Sequence, residues 1–363
     1  MVASSSELLD MKLPSFGSFF KGLFFLRPPV PRLSYDQLLA ERDRLSEENG
    51  QLKAELERFS QRSSGVRPAK PEPAIPTLGQ APDYPKETST VVADMPKAAG
   101  WAHLKASVLG SGKEMLQDAH AVVTYGSSAV LIVCDGAGSK KHSKDGADLA
   151  AKFLKEKFEV ILAAGQPIKT DEWVKLSHDL LLEAAVKLDQ HALTVGKPLQ
   201  EFGATCIIAF ANDEFAACSH VGDGRAGYLD AKGVWRSLLV PYKGAEANAT
   251  IFLSMLKADN AAGFIRHQVV PGRTRAIVAL SDGPENVCWH VSTKDVGGGE
   301  KLIDPNVPSA KFFGQIANQL AGASAQKVPQ AELDGFWAKF LTSGNDQLAN
   351  EIDDKTLLLA LRG

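Results

Sequence analysis

The stretch Val130-Leu131-Ile132-Val133-Cys134-Asp135-Gly136-Ala137-Gly138 decides how this chain is read. Its apolar, β-branched first half has the composition of a strand, and the Asp-Gly that follows is turn chemistry. Comparable apolar runs lie at 121–123, 205–210, 276–280 and 357–361. Between them, helical patterns cover about 145–163, 170–193, 309–321 and 331–341. The strand runs fall in adjacent groups instead of alternating one for one with helices. That order predicts an α+β fold, antiparallel sheets covered by helices, over residues 93–363.

Upstream the texture changes three times. Residues 1–33 mix Ser and Pro with a Phe-rich patch at 16–26, which predicts a flexible tail. Grouped aromatics of this kind also suit docking to a partner or to a membrane surface. In 34–60, Leu38, Leu45, Leu52 and Phe59 recur every seven residues, with Tyr35, Arg42, Asn49 and Leu56 at the second seam position. Ser34 and Gln37 make a capping-box start, so this segment predicts a short coiled-coil helix and, through it, a homodimer whose register Asn49 fixes. Residues 61–92 carry six prolines from Pro68 to Pro85 and predict a semi-rigid linker.

The whole chain has 363 residues, 44% of them hydrophobic and 23% charged, which is ordinary globular usage. A formal net charge of -3 argues against nucleic acid as a partner. The four cysteines, Cys134, Cys206, Cys218 and Cys288, sit in or beside apolar stretches with no CxxC or Cys/His spacing. They predict buried free thiols and a reducing, cytoplasmic setting. No apolar run reaches the ~18 residues of a membrane span. The short run at 19–26 is broken by Lys21 and followed by Arg27-Pro28-Pro29, so it does not read as a signal peptide.

Aspartates stand at strand ends in four places. They are Asp118 in Leu116-Gln117-Asp118-Ala119-His120, Asp135 in the opening stretch, Asp282 in Leu280-Ser281-Asp282-Gly283, and Asp353 in Ile352-Asp353-Asp354-Lys355-Thr356. One Asp-Gly after a strand is ordinarily only a turn. Four carboxylates projected from strand ends are the hard-oxygen set that Mg²⁺ and Mn²⁺ take.

In order along the chain, Gln-Asp-Ala-His, Asp-Gly-x-Gly, Gly-Asp-x-Arg, Ser-Asp-Gly and Asp-Asp-x-Thr resemble the motif set of the PPM-type (type 2C-like) metal-dependent Ser/Thr protein phosphatases, over about 113–361. The resemblance implies a four-layer αββα sandwich, with the N-terminal helix as an extension. It implies hydrolysis of phosphoserine and phosphothreonine in a phosphorylated protein by water activated between two Mn²⁺ or Mg²⁺ ions. It puts Asp118, Asp135, Asp282 and Asp353 on the metals, with Asp135 bridging, and adds the backbone carbonyl of Gly136. Asp223, in Gly222-Asp223-Gly224-Arg225, matches the position that helps hold a third, weaker ion, and reads equally as a hairpin-turn residue.

The chain departs from the family pattern at Lys113, five residues before Asp118, where the family has an arginine on the substrate phosphate. A point charge in place of a planar fork predicts weaker phosphate binding or slower turnover. His120 is a candidate general acid toward the leaving alcohol, with a packed strand histidine as its alternative reading. Gly224 stands where the family commonly has Ser, and residues 247–253 resemble a compact bacterial branch, which implies a short or altered flap. Two competing functions stand beside the main one: a phosphatase-like binding module without turnover, supported chiefly by Lys113, and a phosphatase of a small metabolite.

Overall fold

The first half of the opening stretch, residues 130–134, is apolar at every position because both of its faces are covered. It lies in strand β3 (Ser128–Cys134). Ala129, Leu131 and Val133 pack into one core, and Val130, Ile132 and Cys134 into another. Side chains alternate across a strand, so a run buried on both sides shows no alternation in sequence.

The computed structural model describes residues 100–242, 250–291, 293–294 and 302–363. The expectations for 1–33, 34–60 and 61–92, and for residues 247–249 of the flap, lie outside these. Within them, β3 belongs to a five-stranded antiparallel sheet with β2 (Ala119–Tyr125), β4 (Cys206–Ala211), β5 (Phe215–Val221) and β8 (Arg266–Pro271), in the order β2-β3-β4-β5-β8. A second antiparallel sheet contains β1 (Trp101–Val108), β6 (Arg225–Leu229), β7 (Trp235–Ser237), β9 (Ala276–Leu280) and β14 (Lys355–Arg362), in the order β1-β14-β9-β6-β7. Two short ribbons, β10 (Trp289–His290) with β13 (Val307–Pro308) and β11 (Thr293–Lys294) with β12 (Leu302–Ile303), follow β9 in the chain.

Four long helices complete the layers. α1 (Ser143–Ala163) and α2 (Trp173–Val195) cover the β3 sheet, where Leu154, Phe158, Trp173 and Leu188 meet Ile132 and Phe210. α3 (Ala310–Ala325) and α4 (Gln330–Ser343) cover the β14 sheet, where Phe313, Leu320, Trp337 and Leu341 meet Val278 and Leu359. Between the sheets, Leu131, Val133 and Ile207 face Tyr228, Ile277 and Leu358. The architecture is the expected αββα sandwich. All four cysteines are free and buried. No described helix is long and apolar enough to cross a membrane.

Candidate metal centre

Antiparallel register carries the aspartates to one end of the sandwich. Ala119 pairs with Cys134, so Asp118 and Asp135 flank the same end of the β2–β3 pair. Leu357 and Arg225 both stand opposite Leu280, which brings Asp353, Asp354 and Asp223 toward Asp282. Gly136 leaves no room for a side chain: a Cβ there would lie 2.6 Å from the Gln117 carbonyl oxygen. The strand end therefore presses against the backbone that carries Asp118.

Asp118 is only 3% exposed, and its Oδ2 accepts from the Ser281 hydroxyl at 2.8 Å and the Thr356 hydroxyl at 2.7 Å. Burial pushes its carboxyl up to about 6, and the two hydroxyl donors hold it from rising further. Burial, then the charges of Asp118, Asp282 and Asp353, hold Asp135 well above the usual carboxylate range. Asp282 is lifted to about 7 by burial and by the charges of Asp353, Asp223 and Asp118. Its Oδ1 is buried and has no hydrogen-bond partner.

The neighbours Asp353 and Asp354 do different work. Asp354 is 1% exposed, and its two oxygens accept from Gly110 N at 2.9 Å and Gln117 N at 2.7 Å, which fixes the loop between β1 and β2. Asp353 is 43% exposed and pairs with the Lys113 ammonium. That ammonium also lies 3.5 Å from Asp354 Oδ2. Burial works against the Lys113 charge, but Asp353, Asp354 and Asp118 together raise its pKa.

His120 differs from the general acid expected of it. Its Nδ1 is 2.7 Å from Ser107 Oγ, which lies 2.6 Å from Thr356 Oγ1, and Thr356 donates in turn to Asp118. Burial lowers the imidazole to about 4, so the ring is neutral at pH 7 and a poor proton donor. Ser107, Ser281, Thr356 and Asp354 received no role from the sequence, although three of them lie inside the quoted motifs. Gly224 is explained by space, since a Cβ would sit 2.6 Å from the Leu280 carbonyl oxygen and 2.8 Å from Ile207 Cδ1. Beside Asp118 and His120 a cleft of about 400 Å³ opens against Lys144, Lys152 and Lys155 of α1.

The family model described as protein phosphatase 2C matches residues 110–336, well over half of the chain. The chain belongs to the protein phosphatase 2C family. Its fellow members are phosphatases, and this chain is by membership a hydrolase of that class. Among solved structures it is similar to the serine/threonine phosphatase Stp1 from Staphylococcus aureus, at 14% identity and TM-score 0.47, over 72% of this chain and 94% of that one. The catalytic domain of the serine/threonine protein phosphatase PstP, solved with two manganese ions, is 13% identical at TM-score 0.47, over 72% and 98%. PppA, described as a regulatory component of T6SS in Pseudomonas aeruginosa, is 15% identical at TM-score 0.45, over 72% and 98%. No curated protein matches the sequence.

The donor set of this phosphatase 2C domain suits a divalent cation. It consists of hard carboxylate oxygens, it carries buried negative charge that its own hydrogen bonds do not neutralise, and it leaves the buried Asp282 Oδ1 unpartnered. Among the described residues, no group of three or more His, Cys, Asp or Glu side chains is gathered closely enough to hold an ion as it stands. Asp353 is turned onto Lys113, and one oxygen of Asp118 onto two hydroxyls.

Proposed function

We propose that this domain hydrolyses phosphoserine and phosphothreonine esters in proteins, with Asp118, Asp135, Asp282 and Asp353 holding two Mn²⁺ or Mg²⁺ ions. The Gly136 carbonyl would add a ligand, and Asp223 would help hold a third ion. The reading rests on one observation above the others: the unpartnered buried Asp282 Oδ1 amid carboxyls that burial and mutual repulsion hold up toward protonation. When bound, such ions lower the pKa of a water and neutralise charge on the phosphoryl oxygens.

The chain's own residues supply the rest. Ser281 and Thr356 aim the Asp118 carboxylate. Asp354 fixes the loop that carries Lys113, whose ammonium meets the phosphate. His120, through Ser107, holds the Thr356 hydroxyl in place and so acts on Asp118 indirectly. The cleft sets Lys152, beside the Lys144–Asp148 and Lys155–Glu159 pairs, against the flank of a phosphorylated peptide.

Purified protein with Mn²⁺ is expected to hydrolyse p-nitrophenyl phosphate and phosphopeptides. Asp135→Asn is expected to lower kcat by more than about 100-fold, beyond the range typical of residues one shell outside a metal. No hydrolysis by the unaltered protein in any metal would sink the reading. The engagement of Asp353 by Lys113 favours the second reading, a binding module with weak turnover. Bound metal without phosphopeptide hydrolysis would select it. A higher kcat/KM on sugar phosphates than on phosphopeptides would select a metabolite phosphatase.

A further inference from the structure

We infer that Lys113 is an internal competitor for the ion at Asp353, so that metal binding is what releases the phosphate-binding cation of this chain. The inference rests on the two-ion reading above and concerns how that site is regulated.

The geometry is specific. The Lys113 ammonium sits on the Asp353 carboxylate and lies 3.5 Å from Asp354 Oδ2. Its stem is largely covered, the side chain being 24% exposed. The loop beneath it is pinned to the start of β14 at three other points. Gly110 N and Gln117 N donate to Asp354 at 2.9 and 2.7 Å, and Ser111 N donates to the Glu351 carbonyl at 2.7 Å. The loop thus carries Lys113 to Asp353 instead of leaving a long side chain to find it.

An ammonium and a divalent ion cannot both take the same carboxylate oxygens at close range. With Asp353 holding an ion, the Lys113 ammonium would be displaced, and its flexible four-carbon stem would let it move to a phosphate nearby. Metal and phosphate are then thermodynamically linked, each favouring the other. Without metal, the cation stays committed to the protein's own carboxylates, and phosphate meets a net acidic site. The Lys113–Asp353 pair is partly exposed, so the competition is modest. Its removal shifts the affinity of the ion at Asp353 by about three- to tenfold.

The test is calorimetric. Mn²⁺ is titrated into metal-free full-length protein, unaltered and carrying Lys113→Gln. The expected result is that one Mn²⁺ site tightens by about three- to tenfold in Lys113→Gln while the other stays put. In the same metal-free state, inorganic phosphate is titrated into the unaltered protein and into Asp353→Asn, where the lysine has lost its nearer partner. Phosphate binding several-fold tighter in Asp353→Asn is expected. If both ions bind the unaltered protein and neither affinity moves in Lys113→Gln, the competition is overturned and the two-ion reading stands. If the unaltered protein binds no Mn²⁺, both fall together.

Discussion

Two hydroxyls decide which way Asp118 turns. Ser281 Oγ donates to Asp118 Oδ2 and accepts the Thr356 amide at 3.0 Å, so one side chain ties the end of β9 to the start of β14 and to the first carboxylate. Ser281→Ala is expected to weaken Mn²⁺ binding about tenfold, measured by calorimetry, with the fold retained. An unchanged affinity would mean that Asp118 is oriented by its backbone alone. Deeper in, Cys134 Sγ and Cys206 Sγ lie 3.7 Å apart. Their hydrogen bond and burial hold the Cys134 thiol up, and burial does the same for Cys218 and Cys288. All four cysteines are buried out of reach of reagent, so none is expected to react with a disulfide reagent within minutes in the native protein, and all four after denaturation. Asp118, Asp135 and Asp282 were legible in sequence because each sits where an apolar strand begins or ends. The split between Asp353 and Asp354 was not, since adjacent identical residues differ only in which way the strand start turns them. The pairing of Lys113 with Asp353 joins residues 240 positions apart, and no local pattern encodes it.

Among the elements, β6 carries the most demanding polar contact. Arg225 is fully buried and donates to Glu285 Oε2 at 2.8 Å, Asn306 Oδ1 at 2.9 Å and Asp304 Oδ2 at 2.8 Å. Asn306, at φ 51, also accepts from the Trp289 indole and donates to the Leu239 carbonyl. One guanidinium thus fastens the excursion that follows β9 to the strand that starts just after Asp223. Breaking a buried ion pair costs about 3–5 kcal/mol, less where the acids reach solvent. With Glu285 and Asp304 about one-fifth exposed, Arg225→Met is expected to cost about 2–4 kcal/mol in chemical denaturation. A loss under about 0.5 kcal/mol would show that the excursion is held by its apolar contacts. At this scale the sequence was most readable where periodicity is strong. The four helices lie within a few residues of their expected spans, and the runs at 130–133 and 357–361 are apolar throughout. β1 and β5 left weaker traces. β1 is an edge strand that alternates Leu104 and Ala106 with the polar His103, Lys105 and Ser107, and the middle of β5 is Ala, Cys, Ser and His.

The whole molecule balances its acidic end against the rest of the fold. A carboxyl raised above its ordinary 3.8 favours the folded state while protonated. That contribution is complete below about 3.8 and is lost as pH rises through about 6 for Asp118 and about 7 for Asp282. His120, His220 and His267, lowered to about 4 by burial, add stability as pH rises toward 6.5 and offset part of this loss, so metal-free protein is expected to lose a few degrees of Tm between about pH 6.5 and pH 8 in scanning calorimetry, and Mn²⁺ or Mg²⁺ to restore them at the upper end. A metal-free Tm that holds steady or rises over that interval would contradict the burial of negative charge described here.

The strand order sets a schedule for synthesis. The β3 sheet is complete once Pro271 has been made. The other sheet is not, because β14 lies between β1 and β9 and is the last strand of the described chain. At typical rates of translation its residues leave the ribosome of the order of ten seconds later. Over that interval Leu131, Val133 and Ile207 can meet Tyr228 and Ile277 but lack Leu358 and Ala360, and β1 and β9 lack the strand that joins them. The nascent chain most needs chaperone cover between residue 271 and residue 355, and a stop codon within the final strand leaves an aggregating half-sandwich.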